Sequence, residues 1–388
     1  MKIEMTESQE DKRSAFRNFT DERIKPYADE FDREEKLPDA LIENLAGHGY
    51  LSSVIPCDFS GLGLDMVTFG LLNEEIGRGC SSVRSLITVH AMVSYAILRW
   101  GNLEQKNKWL PKLAKGEKIA AFALTEPNVG SDVRKIETEI QLESSAYVVT
   151  GRKKWTTFGQ IADLFLIFGR CEGKIIAILL EKNSRGMKTK PIRGLLGIRA
   201  SMGSDIELDR CEVPVENVLG GVGFGLSTVA MSALDLGRYS VAWGCVGIGQ
   251  ACLEACLDYA RSRRQFGKPI NRHQLIQEMI ANMVTNVKAA RLLCYNAGCL
   301  KEEGEQSSIA ETLIAKYFSS TMVPRVASDA VQIHGGNGCG SHHPVQRYFR
   351  DAKVMEIIEG SSQMQQIMIS QQAYVEFEKK RRNVEVEK

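Results

Sequence analysis

Residues 135–144 read "KIETEIQLES". Ile136, Thr138, Ile140 and Leu142 fall on one set of alternate positions, and Glu137, Glu139, Gln141 and Glu143 on the other. Period two marks a β-strand with one buried and one wet face. "AYVVTG" (146–151), "DLFLIFGR" (163–170), "KIIAILLE" (174–181) and "SDIELDRCEV" (204–213) follow, separated by glycine and polar breaks. No helical segment intervenes, so residues 119–222 are expected to form an antiparallel barrel or sandwich.

Both flanks have a helical texture. Upstream, "ESQEDKRSAFRNFTDERIKPYADEFDREEK" (7–36) spaces apolar residues among charges, as an exposed amphipathic helix does. "ALIENLAGHGYL" (40–51), "MVTFGLLNEEIGRG" (66–79) and "GNLEQKNKWLPKLAKGEK" (101–118) are further helix candidates with glycine near their ends. Downstream, four long apolar-periodic segments begin at 225, 273, 308 and 361, and predict a bundle. The expected class is α+β, in three parts: a helical domain over 1–118, a β-barrel-like domain over 119–222 and a four-helix bundle over 223–388.

Composition narrows the function. The net charge of +1 offers no field to draw nucleic acid or an anionic membrane. No run of about 20 apolar residues stands out, so no membrane span is expected. "MKIEMTESQEDKRSAF" (1–16) lacks the apolar core of a secretory leader, so a cytoplasmic protein is expected. The ten cysteines include no CxxC pair, so buried thiols of a reducing compartment are expected rather than zinc ligands. His342 and His343 are adjacent and cannot easily share one metal, so no metal site is expected.

Several motifs carry chemistry. "GGVGFGLS" (220–227) has P-loop spacing but leucine at 226 where a phosphate-binding lysine is required, and it reads as a flexible entry to a helix. "ALTEPNVGSD" (123–132) ends a strand in small polar residues and glycine, which lets backbone N–H groups approach a flat polar ligand. Trp155 in "KKWTTFG" (153–159) is placed either to pack in a core or to stack on an aromatic cofactor. Arg261, Arg263 and Arg264 form a cluster suited to pyrophosphate or, equally, a solvated helix end.

Taken in order, these motifs resemble the acyl-CoA dehydrogenase family of flavoproteins. "IPCDFSGLGLD" (55–65), "GIRASMGSDIELDRCEVPVENVLG" (197–220), "YARSRRQFGKPI" (259–270), "QIHGGNGCG" (332–340) and "RDAKVMEIIEGSSQMQQ" (350–366) extend the match over nearly the whole chain. The resemblance implies FAD between the β domain and the bundle. Phe122, Leu124, Thr125, Gly130 and Ser131 match the stretch lining the flavin. Trp155 and Thr157 match its stacking and hydrogen-bonding partners. Arg263 and Phe266 match the pyrophosphate side. Gln332 and Gly336 match contacts made from a neighbouring subunit, and Ser361 and Gln363 match residues that follow the base. A shared cofactor implies a homodimer or homotetramer.

Glu359 falls on the family's catalytic base. A carboxylate in a dry pocket loses solvation and becomes more basic, as removal of a weakly acidic α-proton demands. The resemblance implies an enolate held by the Glu359 backbone N–H and a flavin ribityl hydroxyl, with hydride passing from the β-carbon to flavin N5. A second form of the family carries its base at the position of Gly237, which has no side chain to serve. Ser131, Asp235, Arg238 and Gly360 match substrate-side positions.

Ile358 stands where tyrosine is common and Phe158 where asparagine is usual, and His342 and His343 replace an acidic–aromatic pair. These departures resemble the antibiotic-biosynthesis branch, which oxidises hydroxyacyl groups on an acyl carrier protein toward hydroxymalonyl, methoxymalonyl or aminomalonyl units. Three functions follow: an acyl-CoA dehydrogenase feeding an electron-transfer flavoprotein, a carrier-protein-linked dehydrogenase, or a flavin-binding scaffold. Retention of a carboxylate at 359 argues against the last. Arg152, Lys153 and Lys154 form a candidate cationic patch for an acidic carrier helix.

Overall fold

The computed structural model describes residues 5–386. Its N-terminal helices are α1 (Glu7–Arg23), α2 (Ala28–Glu34), α3 (Asp39–Gly47), α4 (Met66–Gly79), α5 (Ser81–Trp100) and α6 (Leu103–Ala114). The expected single helix over 7–36 is broken between α1 and α2. Pro26 lacks the N–H that would continue the ladder, and the chain bends through a 3-10 turn. Phe16, Phe19 and Phe31 are buried, so this segment packs more deeply than its charge content implied.

The β domain contains β1 (Ala120–Ala123), β2 (Glu139–Glu143), β3 (Ala146–Thr156), β4 (Leu164–Cys171), β5 (Lys174–Glu181), β6 (Met187–Pro191), β7 (Ser204–Pro214) and β8 (Val218–Leu219). The sheet runs β6-β7-β3-β2-β4-β5-β8, with β1 added beside β4. It is mixed rather than wholly antiparallel, because β1 and β2 both pair with β4 in parallel. The alternating stretch behaves as expected at Ile136, Thr138 and Ile140, which are buried, but Leu142 is 56% exposed. After Glu139, β2 has a partner only on its β3 side, and this free end of the hairpin lies uncovered.

The C-terminal part holds α7 (Met231–Ser262), a short hairpin of β9 (Arg264–Gln265) and β10 (Lys268–Pro269), α8 (Gln274–Glu302), α9 (Ser308–His334), α10 (Val345–Met355) and α11 (Ser362–Val386). The stretch 225–230 that leads into α7 is a π-helical turn. Two helices, Ser81–Trp100 and Gly225–Ser262, are long and apolar enough to cross a bilayer, contrary to the sequence reading; most of each lies inside the fold, where α5 and α7 form the central seam.

Helix α10 is tied to both other domains. Buried Asp351 accepts from the Ile198 N–H at 2.6 Å. Arg350 pairs with Asp32 at 2.5 Å and donates to the Leu196 carbonyl. Whatever projects from the end of α10 is therefore held against the junction of all three parts.

Candidate active site

Between α10 and α11 the chain makes a left-handed turn: φ is +54° at Glu359 and +91° at Gly360. For a non-glycine residue this conformation costs about 1–2 kcal/mol, so neighbouring groups must hold it. Arg238 Nε and Gln365 Nε2 donate to the Glu359 carbonyl at 3.1 and 3.3 Å. Lys316 Nζ and Gln365 Nε2 donate to the Gly360 carbonyl at 2.7 and 3.1 Å. Among the described residues no acceptor takes the Glu359 backbone N–H.

The turn aims Glu359 at the α5–α7 seam. A Cβ placed on Gly237 would lie 2.8 Å from both Glu359 Oε2 and Met92 Sδ. Oε2 is buried and makes no hydrogen bond. Burial raises the Glu359 carboxyl above the ordinary carboxylate range, against the opposing pull of Arg238, Lys316 and Arg84. The result is a desolvated, unpaired carboxylate beside three cations, which is the electrostatic character of a proton acceptor kept ready.

Arg84 lies on the same seam, and sequence reading passed over it. It is fully buried on α5, two turns before Met92. Nη1 donates to Thr88 Oγ1 at 2.8 Å, Nη2 to Ser85 Oγ at 3.0 Å, and Nε has no partner. Met355 Sδ lies 3.7 Å from Nη2, which sets the guanidinium beneath the turn that bears Glu359. Burial lowers its pKa. Among the described residues no carboxylate pairs with it, whereas the comparably buried Arg78 has three such partners. The signal was present as a lone cation in the apolar run "SSVRSLITVHAMV" (81–93). Lys316 and Gln365 were also missed, since a lysine or glutamine in a helix gives no sequence clue to inward direction.

A second group lies on the β domain. Phe122 and Leu124 pack in the same core cluster as Met92, which connects this group to the Glu359 slot. Gly130 and Ser131 are exposed, and a Cβ on Gly130 would meet nothing within 4 Å. Thr125 and Thr157 are half-buried. Trp155 sits in an irregularity of the β3–β7 pairing at φ +60°, with 54% of its surface exposed. Lys154 Nζ lies over the ring, 4.9 Å from its centroid, and a bulky residue held in that conformation while half-exposed is poorly explained by packing within its own domain. Behind this edge lies buried Lys153, which donates to Glu126 Oε1 at 2.7 Å and to the Phe168 carbonyl at 2.5 Å. Glu126 in turn accepts from Thr138 and from the Glu137 N–H. Lys153 is thus an internal brace, and the cationic patch proposed from sequence loses its central member. Burial lowers its pKa to about 8.

A third group gathers at the far end of the bundle. Tyr259 stacks on His334 with ring centroids 4.3 Å apart and also meets His343; the Arg263 N–H donates to the Tyr259 carbonyl, and Gln332 and Gly336 each lie two positions from His334 in the chain. Arg263, Gln332 and Gly336 are exposed, and Phe266 at the tip of the β9–β10 hairpin is 94% exposed. Among the described residues no hydrogen bond links this group to the β domain. Gln363 is exposed on α11, while Ser361 caps that helix by accepting from the Met364 N–H at 3.4 Å. Asp235 pairs with Lys301 and keeps a buried, unpartnered Oδ1.

A helical domain, a mixed sheet and a helical bundle, meeting at a buried carboxylate over an apolar seam, define a three-domain dehydrogenase of acyl thioesters. The acyl-CoA dehydrogenase N-terminal, middle and C-terminal domain models match residues 6–117, 121–211 and 225–374. An acyl-CoA dehydrogenase from Bacillus subtilis (strain 168) is 37% identical over 95% of this chain and 98% of its own. The solved butyryl-CoA dehydrogenase from Megasphaera elsdenii superposes with a TM-score of 0.93 at 32% identity, over 97% of this chain and all of that one. FkbI, solved under a title on biosynthesis of the methoxymalonyl extender unit of a polyketide immunosuppressant, gives a TM-score of 0.86 at 33% identity, over 94% of this chain and 99% of that one. The chain belongs to the acyl-CoA dehydrogenase family. It is an oxidoreductase acting on CH–CH groups, and the family's members are FAD flavoproteins. The residues present fit that cofactor: the half-exposed indole of Trp155 offers a stacking surface, and a Cβ on Gly130 would meet nothing within 4 Å.

Proposed function

We propose that Glu359 is the base that removes the α-proton of an acyl thioester. The single observation that carries this is its buried, unpartnered Oε2 facing the Gly237 gap. The carboxylate is basic because water is excluded and no neighbour donates to it. The free Glu359 N–H is placed to donate to the thioester oxygen as negative charge develops there. FAD, when bound, supplies the acceptor for the hydride leaving the β-carbon.

Phe122, Leu124, Thr125, Gly130, Ser131, Trp155 and Thr157 would hold the flavin from the β domain, with Ser361 and Gln363 contributing beyond the turn. Arg263, Phe266, Gln332 and Gly336 would meet the cofactor of a neighbouring copy, which makes the assembly a homodimer or homotetramer. Their exposure at one end of the bundle supports this. Asp235, Arg238, Ser131 and Gly360 would flank the thioester and its pantetheine arm. Electrons would leave to an electron-transfer flavoprotein or another acceptor. The ten free cysteines suit a reducing cytoplasm.

Arg84 favours a second reading within this one. A buried guanidinium with no carboxylate partner beneath the base suits an acyl group that ends in an oxygen-bearing substituent. This is the chemistry of a hydroxyacyl group on an acyl carrier protein, the branch toward hydroxymalonyl, methoxymalonyl or aminomalonyl units. Anaerobic flavin titration with butyryl-, glutaryl- and hydroxyacyl-thioesters, each on CoA and on carrier protein, tests both readings. Reduction by butyryl-CoA alone would reject the oxygenated substrate; no reduction by any thioester would reject the dehydrogenase.

A further inference from the structure

Lys316 lies on α9, 43 positions before the base in the chain, and is fully buried. Among the described residues it has no ion-pair partner; its hydrogen bond goes to the Gly360 carbonyl at 2.7 Å. A lone ammonium in an apolar interior is costly, and burial brings its pKa down to about 8. The charged and titratable groups facing it are Cys245 and Arg238 from α7 and Glu356 and Glu359 from the turn after α10. From α5, Arg84 completes the set around the carboxylate. The contact reaches the left-handed turn that carries Glu359.

We propose that Lys316 is the positioning residue of the catalytic base. Resting on the assignment of Glu359, this gives the lysine two tasks. Its N–H clamps the Gly360 carbonyl, so the turn keeps the φ values that aim Glu359 at the seam. Its charge favours the carboxylate form of Glu359, opposing the effect of burial. Arg238 and Gln365 hold the preceding carbonyl, so Lys316 is the charged donor to the second half of the turn. Its hydrogen bond goes to the backbone of Gly360, not to the Glu359 side chain.

Lys316→Met and Lys316→Gln separate the two tasks. In Lys316→Met the FAD-loaded enzyme is expected to lose about tenfold or more in kcat, because a misaimed base is expensive in rate, while KM for the thioester stays within about twofold, as loss of a group acting on the reacting step requires. The acid limb of its pH–rate profile moves to higher pH, since a cation that favoured the carboxylate is gone. Lys316→Gln keeps a donor and recovers kcat toward wild type, yet retains the shifted limb. The same shift is readable without turnover in the apo-protein: the pH at which the stability gap between wild type and Glu359→Gln stops growing, set by the folded carboxyl, rises in the Lys316→Met background. If Lys316→Met does not fold, the limb of Lys316→Gln decides. A wild-type limb in either folded variant, or a loss confined to KM, overturns the proposal. Glu359→Gln run in parallel keeps the two claims apart: if it still bleaches the flavin, the base assignment fails, whereas a dead Glu359→Gln beside an unaltered Lys316→Met sinks only the role of the lysine.

Discussion

Gly237 and Glu359 pack directly against one another across the α7–α10 junction. The glycine leaves the gap into which the carboxylate projects, and a Cβ there would lie 2.8 Å from Oε2. The base on the turn and the bare position on the helix are thus one arrangement.

Gly237→Ala tests this fit. In an open helix the change would stabilise by about 1 kcal/mol, but here overpacking against Glu359 and Met92 costs about 1–3 kcal/mol. The variant should keep its flavin, melt at or slightly below the wild-type temperature, and lose about tenfold or more in kcat as the carboxylate is displaced. Wild-type turnover would show that Glu359 has room to swing aside.

Glu359→Gln should retain FAD and lose about 10²- to 10⁴-fold in turnover, the usual contribution of a general base. It should also be more stable than wild type at neutral pH. The folded carboxyl is raised above its unfolded value, so between those two values the native state binds more protons than the unfolded state. Ionised Glu359 therefore costs stability as pH rises, and the glutamine avoids that cost. Denaturant melts at several pH values should show the advantage of the variant vanish in acid, below the ordinary carboxylate range; a constant advantage would contradict the burial argument.

Arg84→Met removes the unpaired cation while keeping the volume. A hydrogen bond to a charged group is worth about 1.5–3 kcal/mol, so kcat/KM for a hydroxylated or carboxylated short acyl thioester should fall about 10- to 100-fold. Butyryl thioester should be spared or improved. Equal losses on all substrates would assign Arg84 to the scaffold alone.

Lys153→Met breaks the brace under the β domain edge. It strands the Glu126 carboxylate, and removing one member of a buried pair costs about 3–5 kcal/mol. A lowered melting temperature together with weaker FAD binding by fluorescence titration is expected. Trp155→Ala, at an exposed site, should weaken FAD binding with little change in the melting temperature of the apo-protein. If both variants bind FAD normally, the flavin does not rest on this edge.

Local periodicity and motif order were enough to read the α–β–α order, the family resemblance, and a carboxylate at 359 with glycine at 237, because each is written in spacing or residue identity. Three-dimensional closure decided the rest. Pro26 broke the first helix, and parallel pairings to β4 made the sheet mixed, because strand neighbours are chosen by packing across long loops. Lys153 reads in sequence like its neighbours Arg152 and Lys154, yet it turns inward to Glu126. Arg84 and Lys316 became visible only when α5, α7 and α9 closed around the turn, since a helical sequence states which face a residue shares but not what that face will meet.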